Sequence, residues 1–290
     1  MTLAAGGSAR TEQSRGILLL LGAVLIFTLM DATAKYLSQL YHPLQVVWFR
    51  YAGNLAILLI VFAPHLREYA RSRSPWLQFW RALMQIASAG LFFFSLVHIG
   101  LTEATAIMDL NPVLITLGAA VFLGEQIGPR RAVGILVSMV GALIIIRPGL
   151  GVFQPAAILP LIGAFTYAAG AILTRLVRGD STRTSVLWSA GVCSLVASAA
   201  LPFIWQPIQL QHFWAFGLMA VFGTISQVLL IRAFAVAEAS AIAPFGYTGL
   251  VWAGVWSWLF FDSLPDMWTV VGAAVIVCAG IYVWSRERQQ

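Results

Sequence analysis

Thr102-Glu103-Ala104-Thr105-Ala106-Ile107 returns almost unchanged as Ala237-Glu238-Ala239-Ser240-Ala241-Ile242, 135 residues further along a chain of 290. Each copy opens a long apolar stretch holding one proline, Pro112 in the first and Pro244 in the second, and each is followed by a further apolar stretch. The chain therefore reads as two related halves. Since nearly all of it is apolar enough to lie in a bilayer, the duplication predicts a secondary transporter with its site between the repeats.

Composition supports the membrane reading. The chain is 60% hydrophobic and 10% charged, with mean hydropathy +0.87, against roughly 25% charged residues in soluble domains. A soluble fold of this size has no place to hide so much apolar surface. Cys193 and Cys278 both fall in apolar stretches and read as small buried hydrophobes rather than a disulfide framework.

A spanning helix needs about 20 mostly apolar residues. Ten such segments are predicted, near 16–37, 44–62, 76–97, 104–123 and 131–146 in the first half, and near 156–177, 186–205, 213–236, 239–261 and 267–284 in the second. The fold class is then all-α integral membrane, with ten transmembrane helices arranged as two inverted five-helix repeats. The expected organisation is an N-terminal cytoplasmic segment 1–15, a first repeat 16–147, a linker 148–154, a second repeat 155–285 and a tail 286–290. The first span is too long for a cleavable signal, and Asp31 and Lys35 stand where a cleavage site belongs. Arg147-Pro148-Gly149-Leu150-Gly151 breaks the helix between the halves and lacks the strand and glycine spacing of a dinucleotide loop.

Charge sets the expected orientation. With the amino terminus in the cytoplasm, inner segments carry Arg10, Arg15, Arg67, Arg71, Arg73, Arg130, Arg131, Arg175, Arg178, Arg183, Arg232, Arg286 and Arg288, which is 13 of the 17 basic residues. Both termini are thus predicted inside. The same spread over short loops accounts for the +6 net charge without nucleic acid. An odd number of spans per half makes the second half enter from the opposite side, so Glu103 is expected outside and Glu238 inside.

Trp48-Phe49-Arg50-Tyr51, Thr105-Ala106-Ile107 running through Asn111-Pro112-Val113 to Leu123-Gly124-Glu125, and the glycines Gly134, Gly141, Gly272 and Gly280 carry a resemblance. Over about residues 16 to 285 the chain resembles the drug/metabolite transporter superfamily, in its ten-span branch built from two EamA-type repeats. Within that branch it looks most like bacterial exporters of aromatic and other neutral amino acids. The second half departs from the pattern, with Phe260-Phe261-Asp262 where Gly-Glu is expected.

Polar groups inside a membrane are costly and mark candidate sites. Asp31 and Lys35 lie four apart on one face of the first span, as a coupling pair or as a local ion pair with Lys35 reaching the interface. Arg50 could hold a carboxylate, or pair with Asp31 or Asp109 to fix packing. Asp109, Asn111 and Pro112 lie together in the fourth span, where a proline frees backbone groups; Pro244, Gly246 and Gly249 repeat the device in the ninth. These four, Pro112, Pro244, Gly246 and Gly249, are the expected hinge residues. Phe94, His98, Tyr167, Gln227 and Tyr247 join Asp109 and Asn111 as expected substrate contacts. A central cavity is expected among spans 1, 3, 4, 6, 8 and 9, with spans 5 and 10 peripheral.

An aromatic-rich cavity with a few hydrogen-bonding groups suits a neutral or zwitterionic molecule with an apolar side chain. The expected function is export or uniport of small metabolites, amino acids including aromatic ones, by alternating access, with the lipid bilayer as surroundings. The alternatives are a proton-coupled drug or metabolite exporter and a membrane scaffold. No H-E-x-x-H or G-x-S-x-G motif suggests an enzyme, and no metal or other cofactor is expected. Ten spans can enclose a path in one chain, so a monomer in a bacterial inner membrane is the expected form.

Overall fold

The computed structural model describes residues 3–123, 129–147, 154–177, 179–236 and 243–287. Their regular structure is helical: α1 (Leu3–Ser38), α2 (Pro43–Val61), α3 (Leu66–Tyr69), α4 (Pro75–Leu96), α5 (Leu101–Met108), α6 (Asn111–Leu123), α7 (Pro129–Ile146), α8 (Ile158–Leu176), α9 (Thr182–Ile204), α10 (Phe213–Val236), α11 (Thr248–Phe261) and α12 (Met267–Glu287). Seven helical segments are long and apolar enough to cross a bilayer, one of them formed by α5 and α6 together, and Ala132–Ile146 and Met267–Tyr282 are shorter apolar helices. With α11 these make ten spans, five in each half. Residues 148–153 of the predicted linker 148–154, and the second copy of the repeated motif, 237–242, lie outside the described residues.

Local chemistry sets the helix starts. Pro43, Pro75 and Pro129 open α2, α4 and α7, where the missing N–H would have had no helical partner. Ser181 caps α9 by accepting from the Thr184 N–H, and the Asp266 carboxylate does the same for the Thr269 N–H of α12. Asp262, at φ 49°, ends α11 in the left-handed conformation. The segment expected as a separate N-terminal stretch is helical from Leu3 and continuous with the first span.

Packing obeys a twofold exchange of the halves. Helix α1 packs on α10 as α8 packs on α4, and α4 meets α9 as α10 meets α2. The pairs α2–α9 and α7–α12 map onto themselves. This is the arrangement that two inverted repeats require. Between α7 and α12 the backbones come close: a methyl at Gly272 would stand 2.6 Å from the Gly141 carbonyl oxygen, and one at Gly141 would stand 2.9 Å from that of Gly272. Small residues let apolar helices approach without a hydrophobic driving force.

The loops divide into two faces. The Arg-poor face holds 39–42, 97–100, 205–212 and 262–266. The Arg-rich face holds 62–74 and 179–181.

Candidate functional site

The centre of the molecule is built around Arg50, from α2. Its guanidinium lies over Phe27 of α1 and Tyr51 of its own helix at 5.4 Å, and over Phe93 of α4 at 5.6 Å. It is within electrostatic reach of Asp31, Tyr167 and Cys193. Five spans therefore converge on this one cation. Tyr167 is 45% exposed there. On α8, Ile158, Ile162 and Phe165 share an exposed face, and Tyr167 follows Phe165 by about 200° of helical turn. Its exposure is thus turned away from that face and toward Arg50, into a space within the bundle. Phe27, also 38% exposed, reaches Arg50 from α1.

The expected ion pairs are absent among the described residues. Asp31 and Lys35 do not pair. Lys35 is only 6% exposed. It donates to the Ile99 carbonyl at 3.0 Å, with the Phe261 ring 5.1 Å from its nitrogen and Glu103 nearby. The reason is geometric: the ammonium meets the buried Ile99 carbonyl, in the loop that follows α4, before it meets a carboxylate. Arg50 pairs with neither Asp31 nor Asp109, and Asp31 Oδ1 is buried without a hydrogen bond.

The fourth span is interrupted at 109–110, although the Asp109 N–H still bonds the Thr105 carbonyl at 2.9 Å and the Leu114 N–H the Leu110 carbonyl at 3.0 Å. Helix α5 stops at Met108 and α6 starts at Asn111, with Pro112 in its first turn. There the proline's missing N–H breaks no helical bond, so the gap falls at Asp109 and Leu110. Thr105 Oγ1, Asp109 Oδ2 and Asn111 Oδ1 near the gap, and Thr102 Oγ1 two turns before it, are buried without hydrogen-bond partners. The ninth span enters through a 3₁₀ turn, Ala243–Tyr247, which contains Pro244 and Gly246. Gly249 is buried, and a methyl there would meet Val24 at 3.2 Å, so this glycine serves a close contact with α1.

Other expected contacts separate. The Tyr247 hydroxyl fits against Gly280 of α12, while its ring is within electrostatic reach of Asp109. Gln227 is not isolated: its Oε1 accepts from Asn54 at 3.0 Å. Phe94 packs edge-on against His42, with ring centres 5.5 Å apart. His98 is exposed on the Arg-poor face and lines a recess of about 530 Å³ with Gln154, Pro155 and Ala156. Tyr167 and Arg50 therefore share the central space, whereas His98 lies at an end of the bundle. An apolar groove of about 510 Å³ runs between α7 and α12 past Val137 and Val275. Its lining offers almost no polar group to orient a metabolite, so the chemistry is assigned to the centre. Cys278 borders this groove and is exposed, in contrast to the buried Cys193; α12 packs chiefly on α7 and leaves that side uncovered.

Both faces are tied across the repeats. On the Arg-poor face Tyr41 bonds His212 at 2.7 Å and Gln45 exchanges bonds with the Gln206 backbone at 2.9 Å. Trp256 donates to Thr28 at 3.1 Å. On the Arg-rich face Asp180 accepts from Ser72, from the Arg73 N–H at 2.7 Å and from Gln78 at 2.9 Å. Slight burial pushes the Asp180 carboxyl up, but these bonds and the Arg73 charge outweigh it and hold it below the usual carboxylate range. Sequence reading missed Phe27, Tyr51, Asn54 and Asp180. Tyr51 stood in the quoted Trp48–Tyr51 motif, and Asn54 lies one helical turn beyond it, so both had a local signal.

The EamA-like transporter family profile matches residues 14–147 and 154–286. A pseudopaline exporter of Pseudomonas aeruginosa is 32% identical over 278 residues, covering 92% of this chain and 94% of that protein. A riboflavin transporter of Rhizobium johnstonii is 27% identical, covering 98% and 96%. An S-adenosylmethionine uptake transporter of Rickettsia bellii is 25% identical, covering 89% of each. One solved crystal structure superposes with a TM-score of 0.65 at 15% identity, over 95% of this chain and 98% of that one, which is a likeness of fold.

Proposed function

This chain belongs to the EamA-like transporter family, and we propose that it moves amino acids, aromatic ones included, through the space beside Phe27, Arg50 and Tyr167. It is a multi-pass transporter of small metabolites in a bacterial inner membrane, not an enzyme. The observation that carries the finer reading is Tyr167, exposed toward a central cation ringed by aromatic side chains. Such a lining suits a substrate with one charged end and an apolar body. The similar proteins are named for three different substrates, with export and uptake both represented, so the substrate is argued from this chain's own residues.

The route is alternating access by a single chain, with both termini cytoplasmic and the Arg-poor face outside. The contact of Lys35 with Ile99 and Phe261 then closes the outer end, and the breaks at 109–110 and 243–247 supply the bending points. A counterflow panel in liposomes tests this. Internal phenylalanine or tryptophan should accelerate entry of the labelled amino acid. Rates equal to empty liposomes for every amino acid would remove the amino-acid reading.

A second reading, proton-coupled export, draws support from Asp109, whose Oδ2 is buried without a partner in the fourth span. An Asp109→Asn variant should then keep counterflow and lose accumulation against a gradient. Accumulation at the wild-type level would exclude it.

A further inference from the structure

Two arginines sit inside the first repeat's spans, and they differ. Arg81 is well partnered: three of its five N–H groups donate, to Gln78 at 3.0 Å, to the Ser185 carbonyl, and to Ser189 at 2.7 Å. Arg50 makes no hydrogen bond and no ion pair among the described residues. A guanidinium offers five N–H donors in a planar fork. Leaving all of them unmade at membrane depth is costly unless water or a ligand takes them.

The surroundings favour keeping the charge while sparing the donors. The faces of Phe27, Tyr51 and Phe93 stabilise the cation without accepting its N–H groups. Asp31 is close enough to feel Arg50 but not to pair with it. Arg50 is part-exposed, and both exposed aromatics beside it, Phe27 and Tyr167, come from neighbouring spans. The fork is thus available to something that enters from the space beside them.

We infer that Arg50 is the carboxylate-docking residue of the transport site, so that the substrate class is organic carboxylates with an apolar or aromatic body. The carboxylate takes two parallel N–H bonds from Arg50, the arrangement its planar fork matches. Phe27 and Tyr167 take the body. This deepens the transport reading above and rests on it, but it requires only the carboxylate and not the amino group.

The test uses the full chain in lipid nanodiscs and two probe pairs: phenylalanine with phenethylamine, and 3-phenylpropionate with 3-phenylpropanamide. Binding is measured for wild type, Arg50→Gln and Arg50→Lys. Wild type should prefer the carboxylate member by about 10- to 100-fold, the range of a hydrogen bond to a charged group. Arg50→Gln should erase that preference, and Arg50→Lys should restore only part of it. If Arg50→Gln does not elute as a single species, Arg50→Lys decides: an unchanged preference overturns the inference. A preference that survives Arg50→Gln overturns it too, as does a wild type that binds neither carboxylate. Arg50-dependent binding of 3-phenylpropionate without binding of phenylalanine would uphold Arg50 and remove the amino-acid reading.

Discussion

The two repeats pack alike and differ in chemistry. Helix α1 lies on α10 as α8 lies on α4, yet Asp31, Lys35, Arg50, Arg81 and Asp109 all belong to the first repeat, while the second repeat's spans carry charge only toward their Arg-rich ends, at Arg175 and Arg232. The second repeat's spans hold no Asp, Glu, Lys or Arg between Arg183 and Arg232, or between Asp266 and Arg286. In place of charge, α11 carries a stacked column of Trp252, Trp256 and Phe260, with ring centres 5.7 and 5.6 Å apart. Each helix needs its own packing partner, so shape is duplicated. One charge can serve a space that both halves share, so charge need not be.

The largest expected effect sharpens this difference. If the chemistry lies in the first repeat, Asp31→Asn combined with Asp109→Asn should cut the rate of uphill transport about tenfold or more in membrane vesicles, since buried ionisable groups carry coupling. Trp252→Phe in the second repeat should change it by less than about threefold, because the ring and its apolar area are largely kept. Equal losses would erase the asymmetry.

Stability tests the matched interfaces. A methyl at Gly53 would stand 2.5 Å from the Ala220 methyl, where α2 meets α10. In α9, which meets α4 in the equivalent way, a methyl at Gly191 meets nothing within 4 Å. Gly53→Ala should destabilise by about 1–3 kcal/mol through overpacking. Gly191→Ala should be neutral or gain up to about 1 kcal/mol of helix propensity. Thermal melting in detergent checks both, and a Gly53→Ala melting point at or above wild type would mean that this contact relaxes.

The faces give a smaller contrast. Lys35→Met removes the bond to the Ile99 carbonyl, worth about 1 kcal/mol, and should speed thiol labelling of a Phe94→Cys variant from the Arg-poor side about fivefold. An unchanged rate would mean that the latch does not govern opening. The smallest effect is at Asp180. Its carboxyl is held below the usual range, so its contribution is fully present above the ordinary value of about 4 and is lost as pH falls through the lower folded value. Melting points of wild type and Asp180→Asn should differ by a constant amount at neutral pH and converge only in acid. Convergence already near pH 6 would place the effect in another group.

The sequence by itself determined the architecture. Apolar length gave ten spans because a bilayer leaves no other way to satisfy the backbone. The 102–107 and 237–242 repeat, with an odd span count, made the halves inverted. The same reading found that Arg50, Asp109 and Tyr167 were buried in an unfavourable medium and so had to be explained. Partners were a different matter. Lys35 chose the Ile99 carbonyl over Asp31, Gln227 found Asn54, and Tyr247 settled on Gly280, each across at least 33 residues of chain. A periodic pattern reports which face of a helix is apolar. It does not report which neighbour that face meets, because that depends on how far helices slide and rotate to fit their small residues together. Only the tertiary structure therefore decided that Arg50 would be left with its donors unmade beside an open space.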